Sequence, residues 1–157
     1  MARAVDRFRR AAADRGLSLD IRTFAEGTKT AEAAAQAVGC DVAQIVKSLV
    51  FVADGRPVVA LTSGANRADP ERLAAVIGAE DVRRATPEEA REATGFSIGG
   101  TPPFGHPAPL PTLIDRDLLA WELLWAAAGA PDAVFPIHPD GLVQVTGGAV
   151  VDLRVET

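Results

Sequence analysis

AQIVKSLVFVA, residues 43–53, is the stretch on which the reading of the fold turns. Ile, Val, Leu and Phe dominate it, and neither Pro nor Gly interrupts it, so it reads as a strand. Side chains alternate across a strand. Lys47 therefore shares a face with Ile45, Leu49 and Phe51, while Val46, Ser48, Val50 and Val52 occupy the other. Both faces read as buried, and an ammonium in such a place needs a reason. Two stay open on the sequence. Either the strand lies at an edge and Lys47 reaches water along its own methylenes, or Lys47 lines a pocket over the sheet. In a pocket it holds a phosphate or carboxylate as a point charge, or desolvation lowers its pKa and makes it an amine nucleophile.

The neighbours of this strand set the fold class. Asp54-Gly55 is a hairpin turn signal, and VVALTSG (58–64) is the return strand. Upstream, Val5, Phe8 and Ala12 recur at helical spacing with arginines opposite, and Gly16 ends that helix. LDIRTF (19–24) alternates as an edge strand. Thr30 caps an alanine-rich helix that stops at Gly39, and Asp41 caps one further turn. Downstream, Asp69-Pro70-Glu71 starts a helix ending at Gly78, and DVRRA (81–85) is a short strand. Thr86 and Glu89 are spaced as a capping box for a helix ending at Gly95. TLID (112–115), ELLWAAAG (122–129), AVFPI (133–137) and AVVDLRV (149–155) read as strands. PDGLVQVTG (139–147) reads as a short helix, and RDLLA (116–120) as a turn or helix. The expectation is a mixed α/β fold: a single domain over residues 1–157, with a largely antiparallel or mixed sheet, or a partly closed barrel, surrounded by helices.

Composition narrows the chemistry. The chain has 157 residues, 48% of them hydrophobic and 24% charged. That is a globular balance with enough chain to build a core. No apolar run approaches the roughly 20 residues of a membrane span, and the charged N-terminus lacks a signal core. A cytoplasmic protein without membrane contact is expected. Cys40 is the single cysteine, so no intramolecular disulfide forms. With His106 and His138 far apart there is no metal-ligand spacing, and no cofactor is expected. The net charge of −5 argues against a general nucleic-acid binder but not against contact with one nucleotide end. Arg3, Arg7 and Arg10 share one helical stripe, with Arg9 close by. It is either a solvated face or a phosphate-contacting patch.

GFSIGGTPPFGHPAPLP (95–111) holds four glycines and five prolines, which bars it from helix and inner strand. A long ordered loop is often functional. Gly99 and Gly100 let a ligand approach the main chain, and consecutive free N–H groups there would bind a carbonyl oxygen or a developing oxyanion. No Lys-Ser/Thr pair follows, so this is not a P-loop. His106 is the only histidine near the loop and is a candidate base without an acidic partner. Ser48 points away from Lys47 across the strand, which disfavours a Ser–Lys dyad. Asn66, in TSGANR (62–67), is a ligand candidate or a turn residue.

QIVKSLVF (44–51), GGTPPFG (99–105) and AAGAPDAVF (127–135), with TKTAEAAAQAVGC (28–40) and LVQVTGGAVVDL (142–153), resemble the YbaK/EbsC proteins. These are related to the editing domain inserted in bacterial prolyl-tRNA synthetases. The resemblance runs from about Thr28 to Leu153. It implies a trans-acting aminoacyl-tRNA deacylase that hydrolyses the ester joining a wrong Cys, Ala, Ser or Thr to a tRNA. Lys47 matches the lysine that meets the substrate end. Gly99 to Pro103 matches a Gly-x-x-x-Pro loop, which makes Gly99 and Gly100 catalytic candidates. Thr28, Thr101, Pro103, Phe104, Gly129 and Asp132 are the matching substrate-binding candidates. Asp132 stands where some relatives carry His or another polar residue, which bears on the amino acid accepted. The implied partner is the aminoacyl-tRNA 3′ end, with a transient synthetase complex possible and the oligomeric state open. An aminoacyl ester is already activated, so water or a substrate group attacks once the ester is oriented and its oxyanion stabilised. Two rivals stand beside this reading: a binding module of the same fold that does not turn over, and a Schiff-base enzyme using Lys47.

Overall fold

The structure, a computed structural model, describes residues 2–25, 28 and 30–156. Lys29 of the quoted helix motif lies outside the described residues. The hairpin predicted around Asp54-Gly55 is the centre of the molecule. β2 (Ile45–Ala53) and β3 (Arg56–Ser63) pair antiparallel from Val46↔Ser63 to Ala53↔Arg56. Both turn residues take positive φ, 49° at Asp54 and 83° at Gly55, the two-residue geometry that matches strand twist.

Among the described residues one eight-stranded sheet spreads both ways from this hairpin, in the order β1-β7-β6-β2-β3-β5-β8. β1 is Arg22–Thr23, β5 Thr112–Asp115, β6 Leu124–Ala127, β7 Ala133–Ile137 and β8 Ala149–Val151. β4 (Val82–Arg84) also pairs with β2. The β2–β6, β3–β5 and β5–β8 pairs are parallel and the others antiparallel. The expected mixed α/β class is therefore the one formed, as an open sheet: among the described residues no pairing joins β1 to β8. Several strands are shorter than the sequence pattern suggests, among them β4, β6, β1 and β8. Leu19 and Ile21 pack on the core instead of extending β1. β8 stops at Val151, and Leu153, fully buried, turns in against Leu73.

Among the described residues five α-helices cover the sheet. They are α1 (Ala2–Asp14), α2 (Ala31–Val38), α3 (Pro70–Ile77), α4 (Pro87–Thr94) and α5 (Pro139–Thr146). The two faces of β2 enter different cores, as its alternation requires. Val46 joins Phe8 and Phe135, with the rings of Phe8 and Phe104 4.9 Å apart. Phe51 packs with Leu73 of α3, and Ile45 with Ala34 and Ala35 of α2. Thr30 and Asp41 cap as expected, Thr30 Oγ1 accepting from the Ala33 N–H and Asp41 closing a capping box with Gln44.

The capping box of α4 is reinforced by a neighbour. Glu89 Oε1 accepts from the Thr86 N–H at 2.8 Å, and Arg83 reaches both carboxylate oxygens at 2.8 Å. The guanidinium first, then the Thr86 N–H, pull the Glu89 carboxyl down to about 2. A folded pKa below the unfolded value gives stability that is full above the unfolded pKa and lost as pH falls through the folded one. Glu89→Gln is expected to lower the thermal midpoint near neutrality. The gap to wild type should close between about pH 5 and pH 2, and a gap independent of pH would contradict the assignment.

Candidate functional site

β2 meets two strands along one edge. β6 pairs with it at Ile45 and Val46, and β4 at Phe51, Val52 and Ala53. Between them lies a gap, and in it an open cleft of about 230 Å³. That is below the ~300–1,000 Å³ that encloses a drug-sized ligand, so the cleft takes a small group while the rest of a ligand stays outside. Lys47 and Ser48 line it from β2, Arg84 and Ala85 from the end of β4, and Trp125 and Ala126 from β6. Thr28, Ala31 and Ala34 close one side, and Ile98, Gly99 and Thr101 of the Gly/Pro loop close another.

Part of the wall is main chain. The Ile45 carbonyl accepts from the Gly64 N–H beside β3, and the Val50 carbonyl accepts from the Ala85 N–H on the opposite edge. Peptide groups alternate in direction along an antiparallel strand, so those of Ser48 point to the gap edge, beyond the last paired residue on either side. The Ser48 hydroxyl is buried without a hydrogen-bond partner among the described residues.

Lys47 is held from behind. Its Nζ donates to the Asn66 carbonyl at 2.6 Å. The Asn66 side-chain amide donates to Asp115 and Asp117, each at 2.9 Å. Asp115, 1% exposed, also accepts from the Ser63 and Asp117 N–H groups. A buried carboxylate thus fixes the 63–66 loop, and the loop fixes the lysine. Burial pushes the Lys47 ammonium below its usual 10.5. Glu32 opposes this, Arg84 adds to it, and smaller effects of Asp115 and Arg67 oppose each other.

The expected site residues separate into two groups. Lys47, Gly99, Thr101 and Thr28 line the cleft. Thr28 donates its N–H and its hydroxyl to the Pro131 carbonyl, at 2.6 and 2.9 Å, tying the 129–132 loop to the cleft. The Thr101 hydroxyl donates to the Ser97 carbonyl at 3.0 Å. The others work behind the wall. The Gly100 N–H is taken by the Ser97 carbonyl, so the expected pair of consecutive free N–H groups does not form. A Cβ on Gly100 would lie 2.7 Å from the Ala130 Cα, and the Gly100 carbonyl accepts from the Gly129 N–H. Gly129, at φ 106°, lies against α1, where a Cβ would meet the Ala4 carbonyl at 2.7 Å. Pro103 and Phe104, expected at the substrate, are buried, Phe104 in the Phe8–Phe135 cluster, because the loop folds inward after Thr101. Asp132 does not line the cleft; its carbonyl accepts from the Phe24 N–H.

His106 Nε2 stands 3.0 Å from the Pro102 carbonyl within the loop, and burial pushes its imidazole below the usual 6.5. It braces the loop and does not line the cleft. His138 Nδ1 meets the Glu122 carbonyl at 2.7 Å, on another side of the molecule. Among the described residues no group of three metal-ligating side chains forms. Sequence reading did not find Arg84, Ile98 or Trp125. Arg84 reaches the cleft through a three-residue pairing, Phe51↔Arg84, that no local pattern specifies. The only signal for Trp125 was its place in the apolar strand ELLWAAAG (122–129).

Residues 25–145 match the family described as the aminoacyl-tRNA editing domain. A solved structure of a candidate trans-editing enzyme for prolyl-tRNA synthetase is 45% identical, with 98% of each chain covered and a TM-score of 0.93. The candidate Cys-tRNA(Pro)/Cys-tRNA(Cys) deacylase EbsC of Enterococcus faecalis is 25% identical over 134 residues, covering 85% of this chain and 82% of that one. Proline–tRNA ligase of Solidesulfovibrio magneticus is 37% identical over 108 residues, 68% of this chain. The chain spans 18% of that ligase's length.

Two outcomes follow from the geometry. The chain has two lysines, so reductive ¹³C-methylation and NMR resolve them readily. The resonance lost in Lys47→Arg is expected to titrate below 10.5, and titration at or above that value contradicts the desolvated placement. Gly100→Ala is expected to cost about 1–3 kcal/mol in denaturant unfolding, because the main chain of Ala130 must move. An unchanged midpoint would show that the two loops are not in close contact.

Proposed function

The chain belongs to the aminoacyl-tRNA editing domain family, and we propose that it is a trans-acting deacylase that hydrolyses the ester joining a small wrong amino acid, of Cys, Ala, Ser or Thr type, to a tRNA. The observation that carries this is Lys47: a partly desolvated ammonium on an apolar cleft wall, held by the Asn66 carbonyl and facing a glycine loop. A cleft of this size suits the aminoacyl group, with the tRNA's terminal adenosine at its mouth. Lys47 meets the phosphate or ester end as a fixed charge, whose effect low dielectric strengthens.

Hydrolysis needs little more. Water adds to the ester carbonyl, either directly or after a hydroxyl or thiol of the substrate has taken the acyl group. The carbon–oxygen bond to ribose breaks, and the ribose oxygen takes a proton. Among the described residues no hydrogen bond uses the Gly99 or Thr101 N–H. These two, rather than Gly99 with Gly100, are the main-chain donors available to a developing oxyanion. Thr28 shapes the side of the cleft next to the 129–132 loop. Small residues such as Ala31, Ala34 and Ala126 set its apolar lining. Editing of this kind serves where binding alone separates amino acids differing by one methylene by only about 1–3 kcal/mol. Such a deacylase acts in the cytoplasm, where tRNA is charged, and is recruited there by a synthetase. No helix among the described residues is long and apolar enough to cross a membrane.

The test is deacylation of Cys-tRNA(Pro), Ala-tRNA(Pro), Ser-tRNA(Ala) and Thr-tRNA by wild type and by Lys47→Ala. Wild type is expected to clear at least one, and the variant to be slower by at least about a hundredfold, the scale of losing one charge-stabilising group. Saturable binding with no hydrolysis across the panel would replace the enzyme by a binding module. Full activity in Lys47→Ala would remove the lysine from the mechanism.

A further inference from the structure

The family match begins at residue 25, yet the helix ahead of it packs against the loops that build the cleft. The Ala4 carbonyl of α1 abuts Gly129. Arg7 donates to the Gly95 carbonyl at 2.9 Å and lies 4.6 Å over the Phe96 ring. The inner face of α1 is occupied, since Phe8 and Ala12 are fully buried.

Its outer face is different. Arg3, Arg9 and Arg10 are exposed. Among the described residues none of the three makes a hydrogen bond or an ion pair, although Asp6 stands three and four positions from Arg9 and Arg10. Elsewhere Arg22, Arg72, Arg83, Arg116 and Arg154 are each paired with a carboxylate; Arg56, Arg67 and Arg84, exposed and without a carboxylate partner among the described residues, stand apart in sequence and form no such helical group. Residues 2–15 carry five arginines and two aspartates in a chain whose net charge is −5. Arg3 and Arg10 are two turns apart on one stripe, about 10 Å along the axis, and Arg9 lies about 100° around the helix from Arg10. Their reach matches about three successive phosphates of a duplex strand. Guanidinium groups stay charged at any working pH and grip phosphate oxygens in pairs.

We propose that the Arg3, Arg9 and Arg10 face of α1 is a docking surface for the phosphates of the RNA duplex that delivers its 3′ end to the cleft. This rests on the deacylase reading for the identity of the RNA. A membrane-surface helix would keep its apolar face free for lipid, and α1 has buried that face in the core. The surface supplies an acidic protein with a local, sequence-independent hold on RNA, next to the loops at which the 3′ end is read.

The test uses the full chain, as wild type, Arg3→Ala/Arg9→Ala/Arg10→Ala, and the matching triple Lys variant. The probe is an uncharged RNA hairpin with a single-stranded CCA 3′ overhang, followed by fluorescence anisotropy across salt concentrations. Wild type is expected to bind with salt-dependent affinity. The alanine variant should lose about two to three from the slope of log K against log salt and bind at least about tenfold more weakly at low salt. The lysine variant should retain most of the slope. Alanine favours helix, so an unchanged thermal midpoint is expected to accompany the loss. On aminoacylated hairpin the alanine variant should raise KM with kcat kept, and on aminoacyl-adenosine it should match wild type. Equal binding and slope in wild type and the alanine variant would overturn the proposal. So would wild-type binding to phosphatidylglycerol vesicles and not to the hairpin. If the hairpin binds through these arginines but no ester is hydrolysed, the deacylase reading fails and the docking surface stands. If aminoacylated hairpin is cleaved with the same KM by wild type and the alanine variant, the reverse holds.

Discussion

The edge of β2 cannot be paired along its whole length, and the rest of the site depends on that. β6 reaches it running parallel and leaves after Val46; β4 reaches it running antiparallel from Phe51. Two strands that approach one edge in opposite senses leave residues between them without a ladder. In an ordinary sheet such a gap is a cost, because buried peptide groups lack partners. Here it is flanked by α2 on one side and by the Gly/Pro loop on the other, so the gap becomes a walled cleft. Lys47 occupies the segment of β2 that borders this gap, where a long polar side chain has somewhere to go.

That placement carries its own electrostatic demands. A half-buried ammonium is disfavoured by lost hydration. The chain answers with a fixed carbonyl dipole instead of a carboxylate: Lys47 meets the Asn66 carbonyl, and the full negative charge sits one step back, on Asp115. A carboxylate in direct contact would neutralise the cation and compete with any anionic ligand. A carbonyl orients the ammonium and leaves its charge available. The arrangement fits a group that has to attract phosphate or ester oxygen while staying in place.

Much of this was legible in the sequence because the signals were local. The cap at Asp41, the capping box at Thr86, the two-residue turn at Asp54-Gly55 and the glycine stops of α2, α3 and α4 are written within a few residues. The alternation of β2 showed that Lys47 was out of place among buried neighbours. The loop was legible as a loop, and not in its parts. Gly99 faces the cleft and Gly100 faces Ala130, and that split depends on contact with a segment thirty residues away. Phe104 follows the Gly-x-x-x-Pro run closely enough to be grouped with it, yet its ring answers to Phe8 and Phe135. Arg84 was invisible because a three-residue strand carries too little pattern to announce its partner.

The main-chain portion of the cleft wall has a consequence for how such a protein diverges. Side chains change by single substitutions, whereas the peptide groups of Ser48 keep their position whatever residue stands there. Two kinds of recognition are thereby assigned to two kinds of inheritance. Under the proposed deacylase function, features common to every aminoacyl ester would be read by backbone that drift does not touch, and differences among amino acids would fall to the cleft-lining Ala31, Ala34, Ile98, Trp125 and Ala126. A lineage would then exchange these side chains to change the amino acid it rejects without rebuilding the main-chain wall.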